Sequence, residues 1–146
     1  MPVLRDRFGA DFAAARTVLA GSSYGGLASA TVALSHPDVF GNAISMSGSF
    51  WWHPQNTPVD QGEFVAHQVA TGPRRPIRFF MTAGLFETGR MGVAGIVESG
   101  RHLRDVLIAR GYDVQYREYA GGHDYVVWRG ALADGLIGLF GTVSAK

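Results

Sequence analysis

Thr17-Val18-Leu19-Ala20-Gly21-Ser22-Ser23-Tyr24-Gly25-Gly26 is the stretch on which the fold turns. Its first half is a short apolar run without alternation, which suits a strand buried on both faces of a parallel sheet. Its second half carries the pattern G-x-S-x-G at Gly21, Ser23 and Gly25. Leu27, Ala30, Thr31 and Leu34 then fall at i, i+3, i+4 and i+7, one face of a helix that His36-Pro37 stops. A buried strand, a sharp turn built of small residues and a helix form a strand–elbow–helix unit. Such a turn lifts the serine oxygen above the strand ends and points a helix N-terminus at it. The rival reading is a Gly-rich turn with a capping serine, so the motif depends on what lies elsewhere in the chain.

Outward from this unit the same alternation repeats. Residues 43–47 read as a second strand, followed by Gly48-Ser49-Phe50-Trp51-Trp52 and a polar, proline-containing loop. A weak helical stretch covers 61–70. A third strand runs from Ile77 to Thr82 and leads into Ala83-Gly84-Leu85-Phe86-Glu87. A long helix is expected over 91–110, with Val93, Ile96, Val97, Leu103 and Leu107 on one face and Gly111 as its stop. A fourth strand spans 114–119. Gly121-Gly122-His123-Asp124 is a loop, and a last helix covers 126–140 with Trp128, Leu132, Leu136 and Phe140 expected inward. Upstream, residues 2–9 read as a helix stopped by Gly9. Strands alternating with helices at these spacings imply right-handed crossovers and an α/β fold with about four parallel strands.

The composition narrows the function classes. The chain has 146 residues, 47% hydrophobic and 17% charged, which excludes overall disorder and fits one domain spanning 1–146. With 13 basic against 12 acidic residues and no basic run, no nucleic-acid partner is expected. No apolar stretch is long enough for a membrane span, and the first residues have no signal-peptide apolar core. Cysteine is absent, which removes thiolate metal sites and a cysteine nucleophile.

A serine hydroxyl needs a base, and the base needs an orienting carboxylate. In a strand–elbow–helix architecture these follow in the order Ser, acid, His, each at a strand's carboxyl end. Ser23, Glu87 and His123 stand in that order. Asp113, Glu118 and Asp124 are rivals for the acid. Asp113 lies at the wrong end of its strand, Glu118 sits within a strand, and Asp124 suits the N-cap of the last helix. Glu98 and His102, four apart on a helix, could share a metal but have no third ligand, so no metal or cofactor is expected. Trp51 and Trp52 follow a strand end and could stack on an aromatic substrate or pack a lid. Arg74, Arg75, Arg90 and Arg129 could favour an anionic group, although each is by default a solvated surface residue.

Four segments carry a resemblance: Ala20 to Leu27; His36-Pro37-Asp38-Val39-Phe40-Gly41; Ser45-Met46-Ser47-Gly48-Ser49-Phe50-Trp51-Trp52; and Gly121-Gly122-His123-Asp124 with Trp128-Arg129-Gly130. By these the chain resembles the enterochelin esterase family, within the esterase D-like α/β-hydrolases. The third and fourth segments point most narrowly to siderophore esterases. The resemblance implies the C-terminal half of an α/β-hydrolase fold and a cytoplasmic serine esterase that cleaves ester bonds of catecholate siderophores. By motif position it makes Ser23 the nucleophile, His123 the base and Glu87 the acid, where relatives often carry Asp. Trp51, Trp52 and Arg129 become the expected substrate-binding residues.

One departure is large. Members of this fold have about four further strands before the nucleophile strand, so the start at Met1 fits a C-terminal fragment or truncated product. The oxyanion hole normally joins the N–H after the nucleophile, that of Tyr24, to a second N–H from an earlier loop. Lacking that donor costs roughly 3–4 kcal/mol of transition-state stabilisation. The first strand is then an open edge suited to self-association. Three alternatives therefore stand beside the siderophore esterase: another carboxylic-ester hydrolase, an acyltransferase on the same three residues, and a catalytically weak chain that acts by binding.

Overall fold

The computed structural model describes residues 2–9, 12–58, 61–89 and 94–141. Among these, α1 (Pro2–Phe8) and a single 3₁₀ turn (Ala14–Arg16) precede the sheet. The elements then follow as β1 (Val18–Ser22), α2 (Tyr24–Ser35), β2 (Asn42–Met46), α3 (Phe64–Thr71), β3 (Arg78–Gly84), α4 (Ile96–Ala109), β4 (Asp113–Tyr119) and α5 (Tyr125–Phe140). The four strands lie in the order β1-β2-β3-β4, every neighbouring pair parallel. Parallel pairing brings all four carboxyl ends to one rim: Ser22 stands beside Met46, and Gly84 beside Tyr119. Ligands of open α/β sheets bind outside that rim.

Alternation along the two central strands divides the core. Ala43, Phe79 and Met81 face the layer of α2, α3 and α4, where Leu27, Ala30, Val65, Val69, Leu103 and Leu107 are buried. Ile44, Met46 and Phe80 face α5, with Trp128, Ala131 and Leu139. β2 is buried along its whole length, whereas β1 and β4, at the edges, are half exposed. Among the described residues, the outer edge of β1 has no strand partner.

Two expectations about helices need correction. The buried stripe of α5 is Trp128, Ala131, Gly135 and Leu139, while Leu136 and Phe140 are exposed. A strict spacing of four advances about 400° per step and drifts off the face, whereas alternating three and four stays on it. The fourth helix starts at Ile96 rather than 91, and Arg90 and Val93 lie outside the described residues. Its start is set by Glu98, whose Oε2 accepts from the N–H groups of Gly95 at 2.8 Å and Gly89 at 3.0 Å. Its end is the expected one, with Gly111 at φ +75°.

Candidate active site

Ser23 is the pivot between β1 and α2. Its φ of 57° and ψ of −125° lie in a region that side-chain-bearing residues rarely adopt. Neighbouring backbone holds it there. The Ser23 N–H donates to Met46 O at 2.9 Å, and Ser23 O accepts from Gly26, Leu27 and Ser49. The glycines around it do different work. A Cβ on Gly21 would sit 2.3 Å from Gly25 O, and one on Gly26 would sit 2.7 Å from Ser45 Oγ and 3.1 Å from Gly48 Cα. A Cβ on Gly25 would meet open space. The close approach therefore runs through Gly21 and Gly26, one position beyond the motif's last glycine. The N–H of Tyr24, in the first turn of α2, makes no hydrogen bond among the described residues.

Glu87 and His123 arrive from loops stitched to one another. The N–H groups of Leu85 and Phe86 donate to Tyr119 O and Gly121 O, tying the loop after β3 to the loop after β4. A tight turn, Glu87 N–H to Gly84 O at 3.0 Å, folds the carboxylate back over the strand end. The Glu87 side chain is only 4% exposed. Its Oε2 accepts from the Gly84 N–H at 2.5 Å and from Ser47 Oγ at 2.7 Å. Its Oε1 is hydrogen-bonded to Nδ1 of His123. A carboxylate only accepts, so Nδ1 carries a proton, and in the neutral ring Nε2 then holds the lone pair, the form a base requires. The imidazole side chain is 41% exposed, and its ring meets Trp128 edge-on at 4.8 Å. Asp124, the next residue, caps α5 by accepting from the Val126 and Val127 N–H groups.

Ser23, Tyr24, Glu87 and His123 line one cleft of about 380 Å³, together with Ser49, Trp51, Phe86, Thr88, Gly95 and Ile96. No hydrogen bond joins Ser23 Oγ to the imidazole in this structure, although both face the same space. Such links commonly close only when substrate binds. Tyr24 and Trp51, 56% and 37% exposed, form an edge-on aromatic pair in its lining, which exposed Phe86 shares.

Trp52 and Arg129 are not brought to the cleft. Adjacent residues in the turn after β2 point to opposite sides, and Trp52 packs into the core edge-on to Phe64 at 6.2 Å. Arg129 lies on the exposed face of α5. The rival acids are engaged elsewhere: Glu118 is paired with Arg101 at 2.6 Å, and Asp113 begins β4 on the exposed side. Glu98 and His102 also part company. Glu98 caps α4, held below the usual carboxylate range by backbone N–H groups, its own first, while His102 pairs with Glu63 at 2.5 Å. Sequence reading overlooked Ser47 as a partner of the acid. The available signal was a buried indole N–H on Trp128, which demands an acceptor.

Known proteins share this arrangement of chain. The chain is 37% identical over 129 residues to an iron(III) enterobactin esterase of Dickeya dadantii (strain 3937), covering 82% of this chain and 28% of that protein. It is 34% identical over 127 residues to an iron(III) salmochelin esterase of Escherichia coli O6:H1, covering 83% and 30%. It thus spans less than a third of the length of these curated relatives. An enterobactin esterase from Shigella flexneri, solved in the presence of enterobactin, superposes with a TM-score of 0.80 at 30% identity, covering 95% of this chain and 34% of that one. A ferulic acid esterase matches at a TM-score of 0.73 with 18% identity over 94% of this chain and 56% of its own, a likeness of fold alone. The Esterase family model, described as "Putative esterase", matches residues 1–139. The chain therefore belongs to the Esterase family, as part of an α/β-hydrolase fold of the enterochelin esterase kind.

Proposed function

We propose that this chain is a serine esterase acting on the ester bonds of a catecholate siderophore of the enterobactin type. The observation that carries the reading is the hydrogen-bonded Glu87–His123 pair on the rim of the cleft that also holds Ser23 on a strained turn. In this reading Ser23 Oγ attacks the ester carbonyl and His123 Nε2 takes its proton. The Tyr24 N–H and the N-terminus of α2 stabilise the oxyanion. The imidazolium, held by Glu87, then protonates the departing alkoxide, and water repeats the sequence to free Ser23. The exposed faces of Tyr24, Trp51 and Phe86 suit a planar dihydroxybenzoyl ring. Iron enters as cargo of the substrate.

The test is incubation with ferric enterobactin, followed by chromatography of the products. Release of dihydroxybenzoyl-serine units by the wild type and none by Ser23→Ala supports the reading. Turnover of an activated aryl ester without turnover of enterobactin replaces the substrate with another carboxylic ester, and transfer to an added alcohol marks an acyltransferase.

One observation favours a second reading. Among the described residues, nothing before β1 lines the cleft, so no earlier loop adds an N–H opposite that of Tyr24. A chain acting by binding alone would retain catecholate and hydrolyse nothing. The β1 edge, unpaired among the described residues, further supports self-association, which a solution mass above 15.7 kDa would support and a monomer at all concentrations would refute. Among the described residues no helix is long and apolar enough to cross a membrane. We place the activity in the cytoplasm, to be checked by fractionation.

A further inference from the structure

The two segments that set this chain apart most narrowly, around Ser47 and around Trp128, are 81 positions apart and meet in one buried hydrogen bond. The Nε1–H of Trp128 donates to Ser47 Oγ at 3.0 Å, and Ser47 Oγ donates to Glu87 Oε2 at 2.7 Å. We infer that Ser47 and Trp128 are positioning residues for the acid–base pair: a relay of fixed direction that holds the Glu87 carboxylate so that Oε1 faces His123. The inference rests on the esterase reading above.

The direction follows from the inventory of donors. An indole nitrogen only donates and a carboxylate only accepts. The hydroxyl between them has one proton, and the indole occupies a lone pair, so that proton must go to Glu87. The Gly84 N–H fills the other approach to Oε2. With Oε2 doubly satisfied, Oε1 is left for the imidazole. Trp128 acts a second time, because its ring supports the edge of the same imidazole. Ser47 is 1% exposed and sits at φ 48°, with its N–H bonded to Thr82 O at 2.8 Å. A serine kept in a conformation that favours glycine points to a use for its hydroxyl.

Three variants test this. Ser47→Ala removes the relay. Ser47→Gly removes it while relieving the backbone, so it is expected to be at least as stable as Ser47→Ala. Trp128→Phe keeps a ring beside the imidazole and deletes only the N–H. Both Ser47 variants are expected to lower kcat about tenfold with KM nearly unchanged, and Trp128→Phe about threefold. Because Trp128 orients the hydroxyl, its effect should vanish in a Ser47→Ala background. The His123 Nδ1–H proton resonance, identified by its loss in His123→Ala, is expected to move in all three variants. This readout needs no turnover. Wild-type kcat together with an unmoved resonance in folded Ser47→Gly overturns the relay and leaves the esterase reading intact. A folded wild type that hydrolyses neither aryl ester nor enterobactin overturns the esterase reading, and the resonance then judges the relay as a structural device. Additive effects of the two substitutions contradict the coupling.

Discussion

Glu87 and Ser23 stand at the carboxyl ends of β3 and β1, on the same rim, yet the two ends of the site are held by different forces. The acid end is a buried polar network. Glu87 receives Ser47, Gly84 and His123, and Trp128 closes the set behind them. The serine end is a matter of backbone shape. Ser23 is fixed by a strained φ, by the approach of Gly21 and Gly26 to their neighbours, and by carbonyl contacts, while its hydroxyl has no partner among the described residues. β3 is almost wholly buried between neighbours, whereas β1 is half exposed and, among the described residues, has a strand neighbour on one side only. A network fixes orientation and charge, and a strained turn fixes position. An acyl-transfer site needs both, because the carboxylate must hold a proton-bearing ring while the hydroxyl must reach an outside substrate.

The comparison breaks most visibly if either reactive group proves dispensable. Ser23→Ala and His123→Ala are each expected to lower kcat on an activated aryl ester by about four to six orders of magnitude, and the double variant by no more. Additive losses would mean that the two groups do not act together. Next is Glu87→Gln, which keeps the shape of the acid end and removes its charge. The amide can offer an N–H to Nδ1 and so favours the wrong imidazole tautomer. A loss of about 10³–10⁴-fold in kcat is expected, with circular dichroism unchanged.

Stability separates the glycines of the serine end. Gly26→Ala drives a Cβ against Ser45 Oγ and Gly48 Cα and is expected to cost about 1–3 kcal/mol in denaturant unfolding. Gly25→Ala meets open space at the start of α2 and should change stability by less than about 0.5 kcal/mol or raise it. Equal effects would show that the elbow's tightness is not steric. The smallest effect sets a half-buried carboxylate at the sheet edge, Glu118, against the buried one. The Arg101 hydrogen bond holds Glu118 below its ordinary value of 4.5. Its contribution is therefore present above that pH and is lost as pH falls through the lowered folded value. Because the pair lies at the surface with Arg101 exposed, Glu118→Gln should barely flatten the acid limb of the stability curve.

Ser23, Glu87 and His123 were legible as candidates because Ser23 and Glu87 follow short apolar runs that read as strands, His123 follows the mixed strand at 114–119, and parallel strands deliver their ends to one rim. Strand identity survives small errors in boundary, so the convergence of three distant residues could be read from order alone. Neighbouring tryptophans could not be told apart. Trp51 and Trp52 differ by one peptide unit in a turn, and only the turn's dihedrals decide that one meets Tyr24 and the other Phe64. The inward face of α5 was misread because large apolar side chains at intervals of four suggest a stripe, while the sheet accepts the small residues Ala131 and Gly135. A Cβ on Gly135 would stand 2.9 Å from Phe80 and 3.0 Å from Ile44, so closeness of packing, invisible to hydropathy, sets that face. Ser47 escaped notice for a related reason: read as the last residue of the second strand, it shows no sign of the distant indole that donates to it.

In the proposed mechanism Ser23 is a nucleophile made reactive by His123. The most direct measurement is covalent labelling of the folded chain with a serine-directed phosphonate, followed by mass spectrometry of its peptides. One adduct is expected, on Ser23, formed by the wild type and lost in His123→Ala. A folded wild type that takes up no label, or one whose label on Ser23 forms equally fast without the imidazole, would contradict it.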